Sequence, residues 1–344
     1  MTTIREIAEF AGVSKSTVSL VLNDKPGVSD EMRQTVLAAV NELEAAHVGS
    51  GAPMPAPGGV AVGTGPQSLS IMVLHPRVLQ SSYVFSQVLQ GIQSAARRHD
   101  IQLRLVPNEP ASSPQDVSHL YLTDEYLRPD GVLVFGAQRY EPLVEKAVAS
   151  DIPCVVLGRE AIKFQYSGIE RDEARYAYQL TQHLLNLGHR AIAFAGGGEQ
   201  YDFTHTRLRG YQQALKDAEL AANTVFCLGN GDDAVRHILG RVPGVTAIIF
   251  VNDTYATEGL VVLRDHGKSI PEDVSVASFD DTEFAQNHLP ALTSISYNHF
   301  KEGEWAVKML LEQIRFPYIQ TSQMIFTGKL IVRDSTRAIG ETLT

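Results

Sequence analysis

From Leu69 onward the chain alternates between two hydrophobic patterns. Short, mainly apolar runs (SIMVL, IQLRLV, GVLVF, PCVVL, AIAFA, TVFCL, TAIIF and VSVASF) have strand length and are rich in β-branched residues. Between them, apolar positions recur at helical spacing: Val88, Ile92 and Ala95; Tyr176, Leu180, Leu184 and Leu187; Leu208, Tyr211, Leu215 and Ala218. Apolar strands alternating with amphipathic helices predict parallel sheets covered on both faces, with strands enough for two sheets. Ligands in such folds bind at the carboxyl ends of strands, so residues just after each strand are the first candidates for a site.

Before residue 47 the pattern is helical throughout. TIREIAEF opens with Thr3 and Glu6 at capping-box spacing and carries Ile4, Ile7 and Ala8 on one face. Gly12 permits a turn, Ser14 can cap the next helix, and Val18, Val21 and Leu22 share a face there. Ser29 can cap a third helix, with Asp30 and Glu31 in its first turn and Met32, Val36, Val40 and Leu43 as its buried stripe. Helix, glycine turn, helix, third helix is the plan of a helix-turn-helix DNA reader, and also of a small helical interaction bundle.

The stretch from His47 to Ser70 separates the two patterns. Ten of its 24 residues are Gly or Pro and none is charged, so it reads as a flexible linker. The expected division is 1–47 helical headpiece, 48–68 linker and 69–344 α/β domain. An apolar fraction of 44% and a charged fraction of 20% suit a soluble globular chain, and no apolar run is long enough to span a bilayer. MTTIREIAEF carries Glu6 and Glu9 and lacks the apolar core of a secretory leader, which with two cysteines set in apolar runs (Cys154 and Cys227) points to the cytoplasm. The formal charge of −10 argues against non-specific nucleic-acid binding by the whole chain, not against a small DNA-reading module.

The skeleton AGVS…STVS.VLN…VS…R..VLAAV.EL in residues 11–43 resembles the headpiece of the LacI/GalR family of bacterial repressors. The resemblance implies that Ser14, Lys15, Ser16, Ser19 and Asn23 lie along the major-groove face. It makes Thr3, Lys25 and Ser29 backbone contacts, with Arg33 a weaker candidate. Leu20 stands where many members carry Arg, so an apolar side chain that can meet a thymine methyl replaces a guanine reader. Through Val48 there are four Lys/Arg against seven Asp/Glu, so phosphate attraction must be local. Family members follow the headpiece with a hinge helix that wedges Leu side chains into the minor groove. No Leu lies between Val48 and Ser68, and a loose tether is expected instead.

The segments HLLNLGHRAIAFAGG, TRLRGYQQAL, VNDTYATEGL, IPEDVSVASFDD, LPALTSIS and GKLIVRDST are similar, in order, to that family's effector domain. The stretch 160–171 matches poorly. The resemblance implies two α/β lobes, like those of periplasmic sugar-binding proteins, around a cleft that takes a small effector. Arg207, Asn252 and Asp280 carry hydrogen-bonding groups just after strands or at a helix start, Tyr83 and Phe85 could stack on a ring, and Arg159 is a further candidate. A solvated Arg207, a helix-capping Asn252 and a core-packed Phe85 are the structural alternatives. This set suits a sugar or sugar derivative, with a purine or other small metabolite as the alternative.

An enzyme on this fold would need a nucleophile, a metal set or a phosphate loop. GGG at 196–198 lacks dinucleotide-loop spacing, and the histidines lack metal-ligand spacing. No catalytic residue, metal or cofactor is therefore expected. A transport-type binding protein would carry a leader and no helix-turn-helix. The reading is a DNA-binding repressor controlled by an effector. With no leucine heptad in RAIGETLT, a homodimer on a near-palindromic operator is expected.

Overall fold

Strands β1 (Ser70–Pro76), β2 (Gln102–Asn108), β3 (Gly131–Phe135) and β4 (Cys154–Leu157) show why the apolar runs are unbroken. Ile71, Val73, Leu133, Val155 and Leu157 pack into one core, while Met72, Leu74, Val132, Val134, Cys154 and Val156 pack into another on the opposite face. Both faces of the sheet are covered, so the period-two alternation separates one apolar layer from another rather than apolar from polar. Cys154 lies inside this core, and burial pushes its thiol up to about 12.

The computed structural model describes residues 10–14, 17–18, 21, 28–29, 32–33, 35–36, 68–76, 82–108, 127–136, 141–158, 166–197, 202–226, 231–316 and 321–340. The chain divides into two units, Met1–Pro66 and Gln67–Thr344. In the first unit Val18, Val21 and Val36 are buried together, Gly12 adopts φ +65°, and Ser14 Oγ accepts from the Thr17 amide at 3.1 Å. Ser29 Oγ caps in the same way at Met32. Met32, expected in the buried stripe, is 39% exposed. Leu22, Val40, Leu43, Cys227 and linker residues 48–67 lie outside the described residues.

The second unit holds two six-stranded sheets among its described residues. The first runs β11-β5-β4-β3-β1-β2, adding β5 (Ser167–Arg171) and β11 (Gln323–Phe326), with every pair parallel. The second runs β12-β10-β9-β8-β6-β7: β6 (Ile192–Gly196), β7 (Asn223–Phe226), β8 (Ala247–Phe250), β9 (Ser275–Phe279), β10 (Thr293–Ser296) and β12 (Lys329–Ile331). All its pairs are parallel except β10 with the edge strand β12. Strands β5, β10, β11 and β12 were not evident as apolar runs, because SGIER and TSIS are mostly polar and QMIF and KLI are only four and three residues long.

Helices α1 (Tyr83–Arg98) and α2 (Glu141–Ala149) belong to the first lobe. The second lobe carries α3 (Glu173–Asn186), α4 (Asp202–Asp217), α5 (Gly231–Arg241), α6 (Asp253–Asp265) and α7 (Glu283–Asn287). Helix α8 (His299–Arg315) returns to the first lobe, packing Ala306, Val307 and Leu310 into its core. Ala218, read as part of the apolar stripe, lies past the end of α4, and Ala214 takes the buried position. No helix among the described residues is long and apolar enough to cross a membrane.

The chain passes between lobes three times: β5 to α3 at 171–173, β10 to α8 at 296–299, and β11 to β12 at 326–329. At the first passage Arg171 grips Glu302 of α8, its Nε at 2.9 Å from Oε1 and its Nη2 at 2.8 Å from Oε2. His299 Nδ1 lies 3.3 Å from Glu302 Oε1. Burial alone would push the Glu302 carboxyl up; Arg171, then His299, hold it instead at about 2. In the second lobe, α4 meets α3 at Gly210, where a Cβ would stand 2.0 Å from the Ala174 carbonyl oxygen. Only glycine allows that approach.

Gly210→Ala should cost about 1–3 kcal/mol or more in denaturant unfolding, because backbone must move. Gly240→Ala, where a Cβ meets nothing within 4 Å, should be neutral or stabilise by up to about 1 kcal/mol. Glu302→Gln should destabilise by about 3–5 kcal/mol at neutral pH, since Arg171 stays buried without its bidentate partner. Because the folded-state pKa of Glu302 is depressed, its contribution is present above the ordinary value of 4.5 and is lost as pH falls toward about 2. The gap between wild type and Glu302→Gln should therefore close over that range in a pH series of unfolding midpoints.

Candidate functional site

Arg207 sits one turn inside α4, with its side chain 3% exposed. Its Nε donates to Glu173 Oε2 at 2.6 Å and its Nη2 to Glu173 Oε1 at 3.0 Å, a bidentate pair. Nη2 also donates to Asp280 Oδ1 at 3.3 Å, and Nη1 donates to the Val251 carbonyl. These four bonds use four of the five N–H groups of a guanidinium. The plane lies over the Phe279 ring, 4.3 Å from its centroid.

Glu173 opens α3 at the first passage between lobes and is buried. Arg171 Nη1 lies 3.6 Å from its Oε1, and the Tyr297 hydroxyl donates to its Oε2 at 3.4 Å. Burial opposes ionisation of Glu173, but Arg207, and more weakly Arg171, hold its carboxyl below the usual range. Burial likewise opposes the charge on Arg207, and Glu173 and Asp280 outweigh it. Glu302, Arg171, Glu173, Arg207 and Asp280 thus form one chain of contacts running from α8 in one lobe to the end of β9 in the other.

Asp280 follows β9 with φ +97° and Asp281 with φ +50°. Two successive left-handed, non-glycine residues are strained and persist only where the surroundings hold them. The Asp280 amide donates to the Ile295 carbonyl at 2.9 Å, and the Asp281 amide donates to Ser294 Oγ at 3.1 Å. Arg333 Nη2 pairs with Asp281 Oδ1 at 2.6 Å. Below the turn, buried Asp253 accepts from Ser278 Oγ, Ser294 Oγ and the Thr282 amide. Burial, then the Asp280 charge, push its carboxyl up to about 6 against those hydrogen bonds. Asp280 Oδ2 makes no hydrogen bond among the described residues. Asn252 caps α6, its Oδ1 accepting from the Tyr255 amide at 2.9 Å, which leaves its Nδ2 unused among the described residues.

Tyr83, half-buried at the start of α1, feels this acidic turn from the other lobe. Burial first, then Glu283, Asp281, Asp253 and Asp280, raise its hydroxyl above the ordinary value. It also lines a cavity of about 380 Å³ beside the passages, with Gln87, Tyr297, His299, Gly328 and Lys329 among its walls. Arg207, Asn252 and Asp280 do not line that cavity; Tyr297 connects it to Glu173. Phe85 turns into the lobe-one core, 5.3 Å from the Phe135 ring and 4.8 Å from His75, and is 4% exposed. Of the DNA-face candidates, Ser14 and Ser29 are described, both exposed and both bonded as helix caps; the weaker candidate Arg33 is described too and is half-buried. Thr3, Lys15, Ser16, Ser19, Asn23, Lys25 and Arg159 lie outside the described residues. Arg171, Glu173, Tyr297 and Glu302 escaped the sequence reading, although RDE at 171–173 sets three charges in a row across the end of β5 and the start of α3.

Two family profiles match the chain. Residues 3–44 match the profile of bacterial regulatory proteins of the lacI family, and residues 181–336 match that of the periplasmic binding protein-like domain. The HTH-type transcriptional repressor PurR of Vibrio vulnificus is 30% identical over 347 residues, covering 98% of this chain and all of the relative. The ribose operon repressor of Haemophilus influenzae is 26% identical over 342 residues, 97% of this chain and 98% of the relative. The solved complex of the transcriptional regulator CelR with cellobiose superimposes with a TM-score of 0.71 at 25% identity, over 97% of this chain and 100% of that one. With headpiece, parallel two-lobed fold and full-length relatives in agreement, this chain belongs to the LacI family of bacterial transcriptional regulators.

Proposed function

We propose that this LacI-family transcriptional repressor binds operator DNA through residues 1–47 and that a sugar or sugar derivative, bound between the two lobes, sets its hold on that DNA. Ser14, Lys15, Ser16, Ser19 and Asn23 read the groove, while Thr3, Lys25 and Ser29 meet the backbone. The effector reading rests on one observation above all. Among the described residues Asp280 Oδ2 and Asn252 Nδ2 are an unused acceptor and donor on one lobe, and Tyr83, within reach of the Asp280 charge, is an aromatic on the other. Each hydroxyl of a polyol can both donate and accept, so one ligand satisfies both groups, and an aromatic face covers its C–H surface. Two relatives carry sugars in their names, a ribose operon repressor and a complex with cellobiose, and this supports the same class. A ligand held by both lobes binds the closed arrangement better than the open one and so shifts the balance between them. A homodimer carries that shift to two headpieces on a near-palindromic operator.

A thermal-shift screen of sugars and nucleobases tests the reading. A ligand at a hundred times its Kd should stabilise the protein by about 2.7 kcal/mol. The sugar found should change affinity for duplexes selected from a random DNA pool. Asp280→Asn should abolish that response and leave ligand-free DNA binding intact. A screen answered by nucleobases alone, or a full response in Asp280→Asn, would overturn it.

A further inference from the structure

We infer that Glu173 is a specificity-determining residue: by occupying the Arg207 fork it restricts the effector to molecules without negative charge, shutting out phosphorylated and carboxylate-bearing sugars. The inference takes the effector cleft of the preceding section as its premise and concerns the charge of what enters it.

A guanidinium recognises a phosphate or carboxylate by presenting two parallel N–H groups. In Arg207 the Nε/Nη2 edge already faces both oxygens of Glu173, at 2.6 and 3.0 Å, and the remaining Nη2 hydrogen is directed at Asp280. Among the described residues a single Nη1 hydrogen is left, which can serve a hydroxyl and cannot grip an anion bidentately. Arg171, the other buried cation at the passage, is held in the same way by Glu302. Three carboxylates, Glu173, Glu302 and Asp280, thus face two guanidiniums. Asp281 is balanced by Arg333, and Asp253 has hydroxyl and amide donors rather than a cation. Lys329, at the wall of the adjoining cavity, is exposed and solvated. Among the described residues an incoming anion would meet more carboxylates than cations in a partly desolvated setting, and would have to displace Glu173 from a pair that burial makes costly to break. A neutral hydroxyl asks only for Asp280 Oδ2, Asn252 Nδ2 and the last N–H of Arg207.

The test uses the full chain with sulfate and inorganic phosphate as probes, read by calorimetric titration and thermal shift. The wild type should show no saturable binding of either anion in the cleft. Glu173→Gln, which frees the fork, should bind them roughly tenfold or more tightly than wild type. The added Arg207→Met change should remove that gain. Saturable sulfate in the wild-type cleft, located by crystal soaking, would overturn the inference. So would a folded Glu173→Gln protein no more receptive to anions than wild type. Should Glu173→Gln fail to fold, wild-type sulfate exclusion supports the inference and wild-type cleft binding overturns it. None of these readouts needs a sugar, so a failed sugar screen beside wild-type anion exclusion would strike the sugar reading alone.

Discussion

Glu173 is a single buried carboxylate shared by two buried guanidiniums, Arg207 in a bidentate pair and Arg171 at 3.6 Å. Buried charges are tolerated only when each has a partner in good geometry, and breaking one member leaves the others unpaired at considerable cost. The first passage between the lobes must therefore stand where Arg171 can reach Glu302 on α8 while Glu173 reaches Arg207 on α4. The packing around it serves that requirement. Gly210 lets α4 close on α3 beside Ala174, and Tyr297, on the second passage, places its hydroxyl against the same carboxylate.

The consequence is that the passage and Asp280, the proposed ligand group, share a partner. Asp280 accepts from the same nitrogen of Arg207 that donates to Glu173. A ligand that engages Asp280 acts on a guanidinium already tied to the joint between lobes. The strained turn at Asp280 and Asp281 is pinned by β10 and by Arg333, so its carboxylates are fixed in direction before any ligand arrives. Preorganisation of this kind favours a ligand that fits existing hydrogen-bonding groups over one that must rearrange charges.

The central strands were legible because Ile71–Leu74, Val132–Val134 and Ala247–Phe250 are buried on both faces and so must be apolar without interruption. The headpiece caps at Ser14 and Ser29 were legible because capping is local. Strands β5, β10, β11 and β12 were not, since SGIER or TSIS becomes a strand only through neighbours distant in sequence. The same limit applied to the site. Arg207 stood out as a residue, but nothing near it announces Glu173, and a Glu at a helix start reads as a solvated group favoured by the helix dipole. Its burial arises from α4 and the Tyr297 passage, 34 and 124 residues away. Phe85 shows the converse: an aromatic after a strand reads as a stacking platform and packs instead against Phe135.

A double-mutant cycle on Glu173 and Arg207 tests this account most directly, with denaturant unfolding of wild type, Glu173→Gln, Arg207→Met and the double variant. If the shared carboxylate fixes the joint, each single change leaves a buried charge without its bidentate partner and the double change removes both charges. The singles should then sum to more than the double by about 1–3 kcal/mol. Additivity within about 0.5 kcal/mol would mean that the two groups do not depend on each other, and would contradict the account.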